Sequence, residues 1–264
     1  MTPYSDVLDS IEPVDDGWST TVPDDWAQGR TVFGGMQVAL MVRAMRAAGG
    51  TAPLPPLRSL QATFVGPLPT GRPVLMRAET LRTGRSATHV RCDLVHSGSL
   101  ACTAVAIFGA ARPSRVAVDI AKPVPPVGPD AITDPSGLAP EFARHMQLRW
   151  AAGSPPYSGQ DHASSLIYAR LADPRCSAED ALIALADAPP TPSLSMLTTP
   201  APASSVNWML EFIGDPRLLD RARWALIGTE VRAGADGYLS QTSVLWGPDG
   251  HAFTVSHQTV AIYG

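Results

Sequence analysis

Apolar residues along this chain fall into two kinds of run. The first kind is short, rich in Val, Ile, Leu and aromatic residues, and bounded by Gly, Pro or polar clusters, which predicts β-strands. Thr88–Leu94 and Leu100–Phe108 form such a pair in the first half, and Leu239–Trp246 and Ala252–Tyr263 form one in the second. Polar glycine turns, Ser97-Gly98 and Pro248-Asp249-Gly250, join each pair into a predicted hairpin. Ser59–Val65 and Pro73–Leu81 are further expected strands of the first half. Glu141–Trp150, Ser164–Leu171, Ser205–Ile213 and Trp224–Arg232 are those of the second. The second kind of run is helical. Met36–Ala48 is free of proline and apolar nearly all round, apart from Gln37, Arg43 and Arg46, which predicts a largely buried helix. Gly49-Gly50 ends it. Ala178–Ala188 carries Ala181, Leu182, Ile183 and Leu185 and stops before Pro189-Pro190.

The two halves close alike: Ala104-Val105-Ala106-Ile107-Phe108-Gly109 is nearly repeated as Thr259-Val260-Ala261-Ile262-Tyr263-Gly264. A repeat spaced by more than half the chain indicates two copies of one domain. Between them, Pro113–Pro140 holds Pro123, Pro125, Pro126, Pro129 and Pro135, which prevent regular structure and predict a linker. The expected division is therefore residues 1–112, a linker at 113–140, and residues 141–264. A helix with antiparallel strands, twice over, is an α+β architecture. A helix with so little polar surface must be covered on most sides, and a curled sheet does that.

Composition removes several alternatives. The 264 residues, 45% of them hydrophobic, suit a soluble globular chain with a large core. No apolar run is long enough to span a membrane, and Met1–Asp6 is polar rather than a signal peptide, so membrane association is not expected. The net charge of −4, with no basic cluster, argues against nucleic acid. Three cysteines indicate neither a disulfide framework nor a zinc site, and Cys92 and Cys102 read as core residues. A cytoplasmic location follows as an expectation. The histidines lack metal-ligand spacing, and the chain shows no G-x-S-x-G elbow, dinucleotide fingerprint or P-loop. Neither a metal nor another cofactor is expected. Lys122 is the only lysine; the many arginines suit phosphate groups.

Several stretches, in this order, resemble the type II (TesB-like) acyl-CoA thioesterases. They are Val32-Phe33-Gly34-Gly35 with its apolar helix, Phe64-Val65-Gly66-Pro67, Glu79-Thr80-Leu81-Arg82-Thr83-Gly84-Arg85-Ser86, Ala184-Leu185-Ala186-Asp187, Ser205-Val206-Asn207-Trp208, and Asp249-Gly250 followed by Gln258. The resemblance covers most of the chain. It implies a double hotdog, two antiparallel sheets each wrapping a central helix, and hydrolysis of acyl-CoA to free acid and CoA. It also implies a catalytic set of Asp187, Ser205 and Gln258, with Ser204 as the alternative hydroxyl, and substrate contacts at Gly34, Gly35 and Asn207. Homo-oligomers are common in such folds. Thr103 aligns with Gln258 in the first copy, whose helix lacks an aspartate, so the resemblance implies one site per chain.

These residue types suit the chemistry. A carboxylate can orient a water and take its proton. Serine and glutamine each donate and accept, so they can hold both the water and the carboxylate. Gly34-Gly35 before a helix would let a ligand approach backbone N–H groups that carry partial positive charge. The competing expectation is a non-catalytic protein of the same fold that binds acyl-CoA or another hydrophobic ligand.

Overall fold

The computed structural model describes residues 1–50, 53–132 and 139–263. Gly264 of the terminal repeat and Pro135 of the Pro-rich stretch lie outside the described residues. The chain divides into two compact units, Met1–Asp119 with Pro140–Arg144, and Ile120–Ala139 with His145–Gly264.

The first unit opens with structure that the pattern of apolar positions does not announce. Helix α1 (Tyr4–Asp9) is followed by strands β1 (Glu12–Val14) and β2 (Gly17–Thr21). A two-residue ladder, β3 (Ala27–Gln28) and β4 (Thr31–Val32), then leads into α2 (Gly34–Ala48). The reason is aromatic packing rather than periodicity. Trp26 is fully buried, with Tyr4 at 5.3 Å and Phe33 at 6.4 Å between ring centroids, and its indole N–H donates to the Thr2 carbonyl at 3.0 Å. Helix α2 is buried along almost its whole length, as its lack of a polar face requires. It packs on the strands β6 (Pro73–Thr83), β7 (Ala87–His96) and β8 (Ser99–Gly109), while β5 (Leu57–Phe64) precedes them in the chain. The antiparallel order in this unit is β1-β2-β6-β7-β8-β5. At the β7–β8 turn both Ser97 and Gly98 have positive φ, the conformation that a tight two-residue hairpin needs.

In the second unit the strands are β9 (Met146–Ala152), β10 (Ser164–Leu171), β11 (Ala203–Phe212), β12 (Ala225–Ala235), β13 (Tyr238–Trp246) and β14 (Ala252–Ile262), with α3 (Ala178–Asp187) after β10. Their antiparallel order is β11-β14-β13-β12-β10-β9, and α3 packs on β10, β13 and β14. Only the later part of the strand expected at Glu141–Trp150 forms. Glu141–His145 is a 3₁₀ turn begun by Pro140, whose carbonyl accepts the Ala143 N–H, and Phe142 stacks on Phe33 at 4.1 Å.

Among the described residues of the Pro-rich stretch, Pro129–Ala131 forms a short 3₁₀ turn. Several polar groups of the second unit hold it. The Trp246 indole donates to the Ile120 carbonyl at 2.9 Å, the Tyr168 hydroxyl donates to Val127, and Lys122 donates to the carbonyls of Gly247 and Pro248. Residues 189–204 also carry structure. Pro192–Met196 is a mostly buried 3₁₀ helix, and backbone bonds from Tyr157 and Gln160 to Leu194 and Ser195 fasten it. Among the described residues no helix is long and apolar enough to cross a membrane.

Candidate active site

Asp187 is the last residue of α3. The helix starts at Ser177, whose hydroxyl accepts the Asp180 N–H and donates to the Asp180 carboxylate at 2.6 Å, a reciprocal cap. Ala181–Ala186 are buried, and Pro189-Pro190 prevents further turns. Asp187 is left half-buried at the helix C-terminus, where the backbone dipole disfavours a negative charge. An N–H donor offsets this: Gln258 Nε2 donates to Asp187 Oδ1 at 2.7 Å.

Gln258 lies on β14 with its side chain on the core face, flanked by Trp208 of β11 and Gln241 of β13. Gln241 Nε2 donates to Gln258 Oε1 at 2.6 Å. An ionised carboxylate only accepts, so it draws the Gln258 amide nitrogen toward itself. The Gln258 oxygen then faces Gln241, which must present its own nitrogen. The direction of the whole chain of bonds follows from the charge on Asp187.

The next row of the same face is made of hydroxyls. Ser165 of β10, Thr229 of β12, Ser243 of β13 and Ser256 of β14 pair strand to strand, and all four are buried. Thr229 and Ser243 share a hydrogen bond of 2.9 Å. Ser165 Oγ, Gln241 Oε1 and Trp208 Nε1 are buried without a hydrogen-bond partner among the described residues. Each such group costs about 1–3 kcal/mol.

Register assigns the two serines to opposite faces. Ser205 pairs with Val260 and Asn207 with Thr259, so Val206 is an extra, bulged residue in β11. Val260 and Gln258 share a face two residues apart, and Ser205 lies on that face with them. Ser204 pairs with Ala261, lies on the opposite face and is exposed. The structure thus joins Asp187 directly to Gln258 and brings Ser205 to the same side of the sheet.

The remaining expected site residues lie elsewhere. Asn207 is exposed on the opposite face, and its Oδ1 accepts the Thr259 backbone N–H at 3.2 Å beside the bulge. It is not gathered with Asp187 and Gln258. Gly34 and Gly35, in the first unit, are the first two residues of α2 rather than a turn, and neither has positive φ. No side chain caps that helix start. The alignment of Thr103 with Gln258 does not survive in three dimensions. Core positions in β8 are Cys102, Ala104 and Ala106, so Thr103 points the other way and donates to Asp93 at 2.6 Å. Sliding one copy by a single residue reverses every face.

Gln241 and the hydroxyl row were not found by sequence reasoning. The β13–β14 ladder shifts register between Leu245 and Trp246, so counting back from the turn pairs residue 241 with 257, and only the bulged register sets Gln241 opposite Gln258. The cysteines offer no competing nucleophile. Burial first, then the carboxylates of Asp173 and Asp180, push the Cys176 thiol up to about 12, and burial with Asp93 pushes Cys102 up to about 12. Cys92 is raised as well, chiefly by burial.

The whole chain is similar to several solved structures. A conserved protein of unknown function with a hot dog fold from Alicyclobacillus acidocaldarius is 23% identical, with a TM-score of 0.88 over 99% of this chain and 98% of that one. The tesB protein of Mycobacterium avium subspecies paratuberculosis is 15% identical, with a TM-score of 0.80 over 99% and 100%. An acyl-CoA thioesterase II of Mycobacterium marinum is 16% identical, with a TM-score of 0.78 over 98% of both chains. These likenesses give the hotdog fold. A comparison with curated proteins finds no match. The acyl-CoA thioesterase N-terminal domain matches residues 22–109 and the corresponding C-terminal domain matches residues 122–262. With both domains matched in order, the chain belongs to the acyl-CoA thioesterase family.

Proposed function

We propose that this protein hydrolyses an acyl-CoA thioester to the free carboxylic acid and CoA, with Asp187, Ser205 and Gln258 as its catalytic set and each unit as one hotdog. The observation that carries the reading is the 2.7 Å bond from Gln258 to Asp187. It holds a carboxylate at a helix end that would otherwise repel it, half-buried and thus within reach of water. In this reading Asp187 takes a proton from a water as the water oxygen bonds to the thioester carbonyl carbon. The carbonyl electrons move to oxygen, then return as the C–S bond breaks, and the thiolate leaves with the proton from Asp187 or from solvent. Gln258 spends one amide hydrogen on Asp187 and keeps the second for the water or the developing oxyanion. Ser205 offers a further donor and acceptor on the same face.

The test is release of free thiol from a panel of acyl-CoAs of different chain length, using the wild-type chain and Asp187→Asn. Turnover by the first and its loss in the second, with both folded, is the expected result. Tight binding with no thiol release by the wild type would refute hydrolysis and leave a binding protein of the same fold.

A further inference from the structure

The geometry points to Gln241 as a positioning residue that fixes which way the Gln258 amide faces. This rests on the reading of Asp187 and Gln258 as catalytic. A glutamine amide can turn by half a rotation at little cost, which exchanges its donor and acceptor ends. In the turned state Gln258 would present oxygen to a carboxylate, and the 2.7 Å contact would become repulsive. Asp187 itself opposes that turn only while it is ionised. Once it has taken a proton from water it can donate, and the turned amide becomes an acceptable partner. Gln241 adds to the hold, because turning Gln258 alone would set its Nε2 against the Gln241 Nε2, so the two amides would have to turn together. Its Nε2 donates to Gln258 Oε1 at 2.6 Å from the facing position of β13.

Two further observations support a role beyond packing. Gln241 is buried at 5% exposure in the middle of a sheet face, where an apolar residue would cost less. Its own Oε1 has no partner among the described residues, so the side chain is held by one bond and that bond goes to Gln258. Gln241 stands behind Gln258 and bonds neither Asp187 nor a solvent-facing group. It therefore acts on the reaction through Gln258.

The experiment uses the full chain with Gln241→Met, which keeps length and removes the donor, and Gln241→Glu, which accepts only when ionised. Two readouts are taken. The first is steady-state kinetics on the best acyl-CoA of the panel. The expected result is a fall in kcat of about tenfold with KM within about twofold, the size of effect one lost hydrogen bond produces. The second is the side-chain amide resonance of Gln258, assigned by its disappearance in Gln258→Glu. Its two amide protons should be widely split in the wild type and move together in both variants.

Wild-type kcat with an unmoved Gln258 resonance in a folded variant overturns the inference. So does a rise in KM at constant kcat, which would make Gln241 a substrate contact. If a variant does not fold, the wild-type spectrum decides. A Gln241 amide with one proton protected from exchange supports the bond, and fast exchange of both protons overturns it. The resonance also separates the two readings, because it reports the amide pair even if the wild type turns over no acyl-CoA.

Discussion

The core-facing strand surfaces of the two units have the same strand pattern and different contents. Across the first, Cys92 pairs with Ala104 and Ala104 with Ala62, with Val90, Leu94, Cys102 and Phe108 around them. Across the second, Ser165, Thr229, Ser243 and Ser256 make one row, and Gln241 and Gln258 begin the next. The comparison separates what folding requires from what it tolerates. An antiparallel sheet on a helix needs every second residue to be buried; Cys, Ala and larger apolar residues meet most of that need in the first unit, where Thr20 and Thr88 are the buried hydroxyls of the sheet. The second unit keeps partly unpartnered hydroxyls and amides where apolar residues would serve stability better. Among the described residues the first unit carries such a cost on its helix, at Gln37 Oε1, rather than on its sheet.

Four experiments sharpen or break the contrast. The largest effect is expected from Asp187→Asn in the second unit, which should lower kcat by about 10²–10⁴ while circular dichroism stays unchanged. Thr103→Val in the first unit should leave turnover as it is. Equal losses from both would erase the asymmetry. Next comes the serine pair: Ser205→Ala should reduce kcat about tenfold, on the scale of one lost hydrogen bond, and Ser204→Ala should not. Reversal of that order would place the bulge wrongly.

A reciprocal exchange on the core faces follows. Val90→Thr adds a hydroxyl to the more apolar face and should destabilise by roughly 1–3 kcal/mol in denaturant titration. Thr229→Val strips Ser243 of its partner and should cost about 1 kcal/mol. Similar tolerance of the polar group in both units would show that the faces are equivalent after all. The smallest effect is expected from a thiol reagent at pH 8. With Cys102 and Cys176 raised to about 12 and Cys92 raised too, the thiols stay protonated and buried. The native protein should not label, and the denatured protein should label at all three cysteines.

Much of the fold was legible because each hairpin writes its own boundaries. Ser97-Gly98 and Pro248-Asp249-Gly250 turn where glycine allows it, and the flanking strands follow within a few residues. Met36–Ala48 was legible because only Gln37, Arg43 and Arg46 interrupt its apolar surface. What was hidden depended on partners distant in sequence. The N-terminal elements are organised by Tyr4, Trp26 and Phe33, and the 3₁₀ helix at Pro192–Met196 by a loop some forty residues earlier. In the site, Asp187 and Gln258 could be named because a motif carried each, and the structure joins them. Gln241 carries no motif. Its part appears only once the register of β13 against β14 is counted. The two serines could not be separated from sequence, because strict alternation would put Val206, not Ser205, on the face of Gln258.

The bulge at Val206 also bears on how this strand tolerates changes in length. Deleting Val206 would restore plain alternation while leaving Ser205 opposite Val260 and Trp208 opposite Gln258. Loss of Met209, three positions on, would instead rotate everything before it by half a turn and send Ser205 outward. Within a stretch of four codons, one can be dropped with the geometry of the site intact, and its near neighbour cannot.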